Sequence, residues 1–297
     1  MMYIHRVSTL NIKQNETLDI KAECKKVASA YIRRTDRFIQ LGLLGVSGLL
    51  KVSSGISLGD IDKNTAVFMV SGQGNLAVFS RLCHQRYVEE VPPKPVDFIN
   101  SLSNTAGFYI AKYLGLESKN LNLAQQGFVV ENALLLADAS LRAGQETHVL
   151  LGGIDEKPED KTLPHSYLNL PINQAIGEGS NWILLSAKQQ DALASIEVSS
   201  QQFDSTTIVE YIKNKSGITH VAFGQRMPKN MFEQLRSQIN IPLFDCFDHY
   251  DFYETNILFV LNRYIEKEQG CLAYIDYFNN VYRVVLVTNT TILDTSI

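Results

Sequence analysis

A chain of 297 residues, 45% hydrophobic and 20% charged, has the composition of an ordinary globular protein, long enough for two domains or one large α/β unit. Its 27 basic and 31 acidic residues give a formal charge of −4, and without a basic surplus to neutralise phosphates nucleic acid is excluded as a main partner. Four cysteines (Cys24, Cys83, Cys246 and Cys271) lie far apart with no C-x-x-C pair, which argues against zinc and thioredoxin-type chemistry and suits a reducing compartment. The first residues lack the apolar core and small-residue cleavage site of a secretion signal. The most apolar stretch, 38–50, is broken by Gln40, Gly42, Gly45, Ser47 and Gly48 and closed by Lys51, short of the roughly 18 apolar residues a membrane span needs. These features predict a cytoplasmic protein with no membrane span.

In chain order, Val67-Phe68-Met69-Val70 is a buried-strand run that ends in Gly72-Gln73-Gly74-Asn75, and a helix follows with Leu76, Phe79 and Leu82 at helical spacing. Pro92, Pro93 and Pro95 force an extended crossing. Ser103 or Asn104 caps a helix with the apolar face Ala106, Ile110, Ala111 and Leu114, ended by Gly115. A short strand over Leu121, Asn122, Leu123 and Ala124 precedes a long helix from about Gly127 to Arg142. Val149-Leu150-Leu151, ending in Gly152-Gly153, and Trp182-Ile183-Leu184-Leu185 are uniformly apolar strands, which means a sheet covered by helices on both faces. Glu156 to Pro171 reads as a polar surface excursion. The alternation then restarts: a helix near 206–213, a strand over His220 to Phe223, a helix near 229–238, a strand at Leu243-Phe244, a helix from about Tyr253 to Glu266, and closing strands near 271–276 and 282–287. The pattern predicts two successive α/β halves, 1–193 and 194–297, the second shorter.

Local chemical signals are sparse. Gly72-Gln73-Gly74 sits where a phosphate loop would, but the third glycine position holds Ala77 and no Walker lysine follows, so a tight strand-to-helix turn is the better reading. Cys83 and His84 are helix neighbours about 100° apart and do not face one another, so Cys83 reads as a buried structural thiol. His5, His148, His165 and His220 show no metal spacing. Asp245, Asp248, His249 and Asp251 form the densest ionisable cluster. A general base or metal site is open there, but helix N-terminal acids, with Asp251 as the cap, account for it more simply.

From Asn104 to Trp182 the order of signals resembles a β-ketoacyl synthase of the thiolase superfamily. Asn104-Thr105-Ala106-Gly107 with Leu114-Gly115-Leu116 is similar to the helix before the nucleophile strand, Asn120-Leu121-Asn122-Leu123 to that strand, and Ala133-Leu134 to Gly144 to the helix the nucleophile opens. Gly152-Gly153-Ile154-Asp155-Glu156 and Gly177-Glu178-Gly179-Ser180-Asn181 resemble the family's next two strand signatures, and Arg33 to Leu41 its N-terminal helix. The resemblance implies an α/β thiolase-like fold, two related halves in α-β-α-β-α layers with a truncated second half, and no cofactor or metal. It also implies a cysteine at the start of the central helix, where the helix dipole favours thiolate, and two histidines from the second half. Here the cysteine position falls on Gly127, preceded by Gln125 and Gln126. Phe223 takes the first histidine position, and only His249 matches the second. The sequence also lacks the family's lysine between Pro242 and His249, and Phe278-Asn279-Asn280 replaces its glycine-rich closing loop.

These losses resemble the cysteine-less chain-length-factor partners of ketosynthases. The resemblance then implies a non-catalytic subunit that pairs with an active ketosynthase, works with an acyl carrier protein, and shapes the acyl pocket. The strand Leu121, Asn122, Leu123, Ala124 would pair across a dimer whose homo- or heteromeric nature stays open. Two alternatives remain at this stage. One is a malonyl-carrier decarboxylase using Gln126 and His249, and the other a stand-alone acyl or small-molecule binding protein on the same fold.

Overall fold

A computed structural model describes residues 1–50, 61–157, 165, 166, 168 and 170–289. Lys51 and much of the Glu156 to Pro171 excursion (158–164, 167 and 169) lie outside the described residues. The strands are β1 (Met2–Ser8), β2 (Asn11–Ile12), β3 (Ala66–Ser71), β4 (Asn120–Ala124), β5 (His148–Asp155), β6 (Glu178–Ser186), β7 (Ala194–Val198), β8 (Ile218–Phe223), β9 (Gly270–Phe278) and β10 (Val281–Asn289). The helices are α1 (Ile20–Ala28), α2 (Arg37–Ser47), α3 (Leu76–Tyr87), α4 (Pro95–Ser101), α5 (Thr105–Leu114), α6 (Val129–Arg142), α7 (Ser205–Asn214), α8 (Lys229–Gln238) and α9 (Ile257–Lys267).

One sheet runs β4-β3-β5-β6-β1-β7-β10-β9-β8, with β2 on β6, and its order contains a repeat. In the first half β3 lies parallel between β4 and β5, β5 is antiparallel to β6, and β6 antiparallel to β1. In the second half Leu243 bridges parallel to β8, β8 is parallel to β9, β9 antiparallel to β10, and β10 antiparallel to β7. Each half therefore reads third-second-fourth-fifth-first strand. The two first strands meet antiparallel, Tyr3 opposite Ser195, and join the halves.

Strand alternation sorts the side chains into layers. Phe68, Val70, Leu151, Ile183 and Leu185 share one core with α6, α9 and the second-half residues Ala222, Leu272, Tyr274, Val285 and Val287. On the opposite face of the first half-sheet, Val67, Met69, Leu150, Ile154, Trp182 and Leu184 pack on α1, α2 and α5. On the outer face of the second, Val221, Phe223, Ala273, Ile275 and Val284 pack on α7 and α8. The layers are α-β-α-β-α, with α6 and α9 in the middle, as the resemblance implies.

Several local expectations need correction. The α3 helix buries Val78 and Gln85, while Phe79 is 58% exposed, because this helix lies at the margin of the sheet. Cys83 is half-buried rather than buried. The Arg33 to Leu41 segment is helical only from Arg37, where the Asp36 carboxylate accepts the Ile39 amide at 3.2 Å. Strand β5 does not stop at Gly152-Gly153 but runs through it; a Cβ on Gly152 would lie 1.9 Å from the Trp182 ring, so the glycine serves packing. Leu243 makes a single bridge, not a strand, and α9 begins at Ile257, not Tyr253.

Candidate functional site

The chain leaves β4 through Gln125 and Gln126 and enters α6 at Gly127 and Phe128. Both of the latter residues have left-handed backbone, with φ of 68° and 52°, a conformation that costs a residue with a side chain about 1–2 kcal/mol. Phe128 is held there by an edge-on contact with Phe278 (6.2 Å between centroids) and by the Arg283 guanidinium over its ring at 5.6 Å. A Cβ on Gly127 would stand 2.3 Å from the Phe278 ring. Any side chain there would have to displace the Phe278 ring, and a nucleophilic cysteine is no exception.

The Gly127 amide donates to Glu254 Oε1 at 2.5 Å. The other Glu254 oxygen pairs with Arg226, and the two side chains are only 4% and 9% exposed. Arg226 also donates to the Leu168 carbonyl at 2.8 Å, and its guanidinium lies 5.0 and 5.3 Å from the ring centres of Phe252 and Phe278. A cation stacked on two rings and bonded to a carboxylate is well compensated for burial. The carboxylate of Glu254 thus occupies the approach to the α6 N-terminus, where unpaired amides and the helix dipole favour an anion. Glu254 also packs over Gly72, whose added Cβ would fall 2.3 Å from the Glu254 side chain. The strand-to-helix turn at Gly72-Gln73-Gly74 is used for this close approach.

Two more acids frame the site, Asp155 buried and Asp276 half-buried. Asp155, at the end of β5, accepts the Ser71 hydroxyl, the Gly72 amide and the Thr255 amide at 2.8–2.9 Å. Burial pushes its carboxyl up to about 6 against the lowering effect of those bonds. Asp276, on β9, is likewise pushed up to about 6 by burial and hydrogen-bonds Glu131 in the first turn of α6. Burial, reinforced by the Asp276 charge, holds Glu131 well above the usual carboxylate range, so Glu131 is the protonated member of the pair.

Of the residues singled out by sequence, Gly127 is at the centre and Gln126 half-buried beside it. The structure does not bring Phe223 or His249 to that place. Phe223 faces the outer layer, edge-on to Phe232 at 5.2 Å, because strand alternation turns Ala222 inward instead. His249 is exposed on a short 3-10 turn, its carbonyl accepting from Asn11 Nδ2 at 2.9 Å. The neighbouring acids serve local structure: Asp245 accepts the Phe247 amide, and Asp251 caps no helix but accepts the Gln14 amide at 2.6 Å. Among the described residues no group of three or more His, Cys, Asp or Glu side chains is placed to hold a metal ion. Glu254 and Phe278 are the second-half side chains seen against Gly127, with Arg226 bonded to Glu254 behind them. No motif marks them in the sequence; the available signal was positional, since Glu254 stands just before α9 as Gly127 stands just before α6.

The strand read as a dimer element, Leu121 to Ala124, is the outermost strand of the first half, bonded to β3 alone within the sheet. Leu121, Asn122 and Leu123 are half-buried and Ala124 exposed. Beside it, α3, α4 and α5 leave Phe79, Phe98, Ile99, Leu102 and Phe108 exposed.

The layered frame, the repeated strand order and the buried N-terminus of a central helix define a thiolase-like fold. Among solved structures, the ishigamide ketosynthase/chain length factor is similar over 97% of this chain and 99% of its own, with a TM-score of 0.76 and 14% identity. The ketosynthase AntDE, solved with the type II polyketide acyl-carrier protein AntF, is similar over 98% and 99% at a TM-score of 0.67 and 12% identity. The complex of the ketosynthase ApeO with its chain length factor ApeC from Xenorhabdus doucetiae follows with a TM-score of 0.55 over 96% and 98% at 12% identity. No family model and no curated protein sequence matches the chain. The chain is ketosynthase-like in fold. No described helix is long and apolar enough to cross a membrane.

Proposed function

We propose that this chain is a non-catalytic ketosynthase-like subunit that pairs with an active β-ketoacyl-carrier synthase and bounds the acyl pocket from its side. The observation that supports this reading is the packing at Gly127, the position that the resemblance assigns to the nucleophile, where the Phe278 ring crowds any added side chain and the Glu254 carboxylate holds the amide. Condensation needs a thiolate at that point. Decarboxylation by Gln126 and His249 fares no better, since His249 lies at the surface. The open β4 edge next to exposed apolar helices supports a partner subunit: an unpaired edge beside an apolar patch is a liability unless it is covered. A ketosynthase and its acyl carrier protein are the partners that the similar structures suggest, and the cytoplasm is the compartment that sparse free cysteines suit.

The test is co-expression with candidate active ketosynthases, followed by size-exclusion chromatography and light scattering. A 1:1 heterodimer is expected. A chain that stays monomeric or self-pairs in the presence of every ketosynthase overturns the reading. Carbon dioxide release from malonyl-carrier protein by the purified chain would equally sink the non-catalytic assignment.

A further inference from the structure

At the β4 edge, between α5, the end of α4 and the tip of β3, lies a narrow cleft lined by Met69, Leu102, Ala106, Leu123, Asn100 and Asn122. It leaves about 10 Å³ of accessible space, room for roughly one water-sized group. Two side-chain oxygens in its lining are buried without a hydrogen-bond partner among the described residues, Asn100 Oδ1 and Asn122 Oδ1. Asn100 is only 4% exposed. The Asn122 amide is oriented by its own donation to Asn120 Oδ1 at 3.2 Å, which leaves its oxygen as the orphan.

A buried acceptor left without a donor is costly, and native proteins keep few of them. Two in one cleft, at the one margin where the first half-sheet lacks a neighbour, with exposed Phe98, Ile99 and Phe108 around it, have the anatomy of an interface anchor point: a small polar pocket inside an apolar rim. No carboxylate lines the cleft, so a lysine or arginine would be buried without a counter-charge. A neutral donor avoids that cost, and a primary amide carries two N–H hydrogens, one for each oxygen.

We propose that the partner subunit inserts one neutral primary amide, the tip of an asparagine or glutamine side chain, between Asn100 and Asn122 when it docks on the β4 edge. This rests on the partner reading above and adds the chemistry of the contact. Removing an orphan acceptor relieves the free chain and weakens the complex, so the two effects have opposite signs.

The experiment uses Asn122→Ala and Asn100→Ala, with Asn100→Ser as a milder variant in case the alanine at this buried position fails to fold. Melting temperature is measured on the free chain, and affinity is measured for the ketosynthase that co-purifies with the wild-type chain. Melting temperatures equal to or above wild type, with affinity reduced about tenfold or more, are expected. Unchanged affinity with a lowered melting temperature overturns the proposal and assigns the cleft to an ordered internal water. If the wild-type chain binds no ketosynthase at all, the partner reading fails and this contact with it; if wild type binds and the variants bind equally well, only this contact fails.

Discussion

The two halves share a strand order and a central helix, and they exchange a contact of the same kind. Asp155, ending β5, caps the backbone just before α9 through the Thr255 amide, while Asp276, on the corresponding β9, bonds Glu131 in the first turn of α6. Burial raises both acids to about 6. Their helix starts differ. The first half enters α6 through two left-handed residues, whereas the second enters α9 through Asn256 with ordinary helical φ of −60°. Their margins differ too. The third strand of the first half is a five-residue edge preceded by three helices, and that of the second is a single bridge preceded by one. One repeated frame is thus elaborated outward in the first half, toward an exposed edge, and inward in the second, which supplies the side chains that pack around Gly127.

The heaviest test of that division is Arg226→Ala. It strands the Glu254 carboxylate in the interior, and a loss of about 3–5 kcal/mol in urea unfolding is expected. The double variant R226M/E254M should recover much of it; a single-variant loss below about 1 kcal/mol would mean the pair does not support the site. Next, Gly127→Cys introduces a thiol at the proposed nucleophile position but meets Phe278 and a φ of 68°. It is expected to cost about 3 kcal/mol and to yield no condensation product from malonyl-carrier protein by mass spectrometry.

The paired acids set a smaller effect with a definite sign. Their folded pKa values, about 6, exceed the unfolded value of 3.8, so between about pH 4 and 6 the folded state binds more protons. Their contribution to stability is therefore fully present below about pH 4 and lost as pH rises through 6. Moving from pH 7 to pH 5 should stabilise the protein by about 1 kcal/mol for each acid, read as the difference between wild type and Asp276→Asn or Asp155→Asn in matched melts. A change confined to one of the two variants would break the equivalence of the halves. The smallest effect on the free chain belongs to Phe98→Ser and Phe108→Ser: stability within about 0.5 kcal/mol of wild type, but a visibly weaker ketosynthase complex in co-purification.

Much of this frame is written in local pattern. Strands buried on both faces, such as Val67 to Val70 and Trp182 to Leu185, declare themselves as unbroken apolar runs, and α7 and α8 fall where helical spacing places them. β1 escapes that reading because the consecutive His5 and Arg6, in half-buried sites, break its apolar run, and β7 because Glu197 interrupts it. α4 is masked by the prolines before it, although Pro95 is well placed in a first helical turn. The site divides the same way. Gly127 is found by counting along one helix, whereas Arg226, Glu254 and Phe278 are separated in sequence and gather around it only after the two half-sheets close on α6 and α9. No spacing rule reaches across that closure.

The seam between β1 and β7 bears on how the chain is made. Residues 2–4 pair on one side with 194–196 and on the other with 185–186, so β1, once made, waits for residues 185–196 to follow before either neighbour exists. Such long-range pairing slows folding and leaves an unpaired strand open to wrong partners meanwhile. Bulky additions to the amino terminus are therefore expected to lower the yield of folded protein more than the same additions inside an exposed loop.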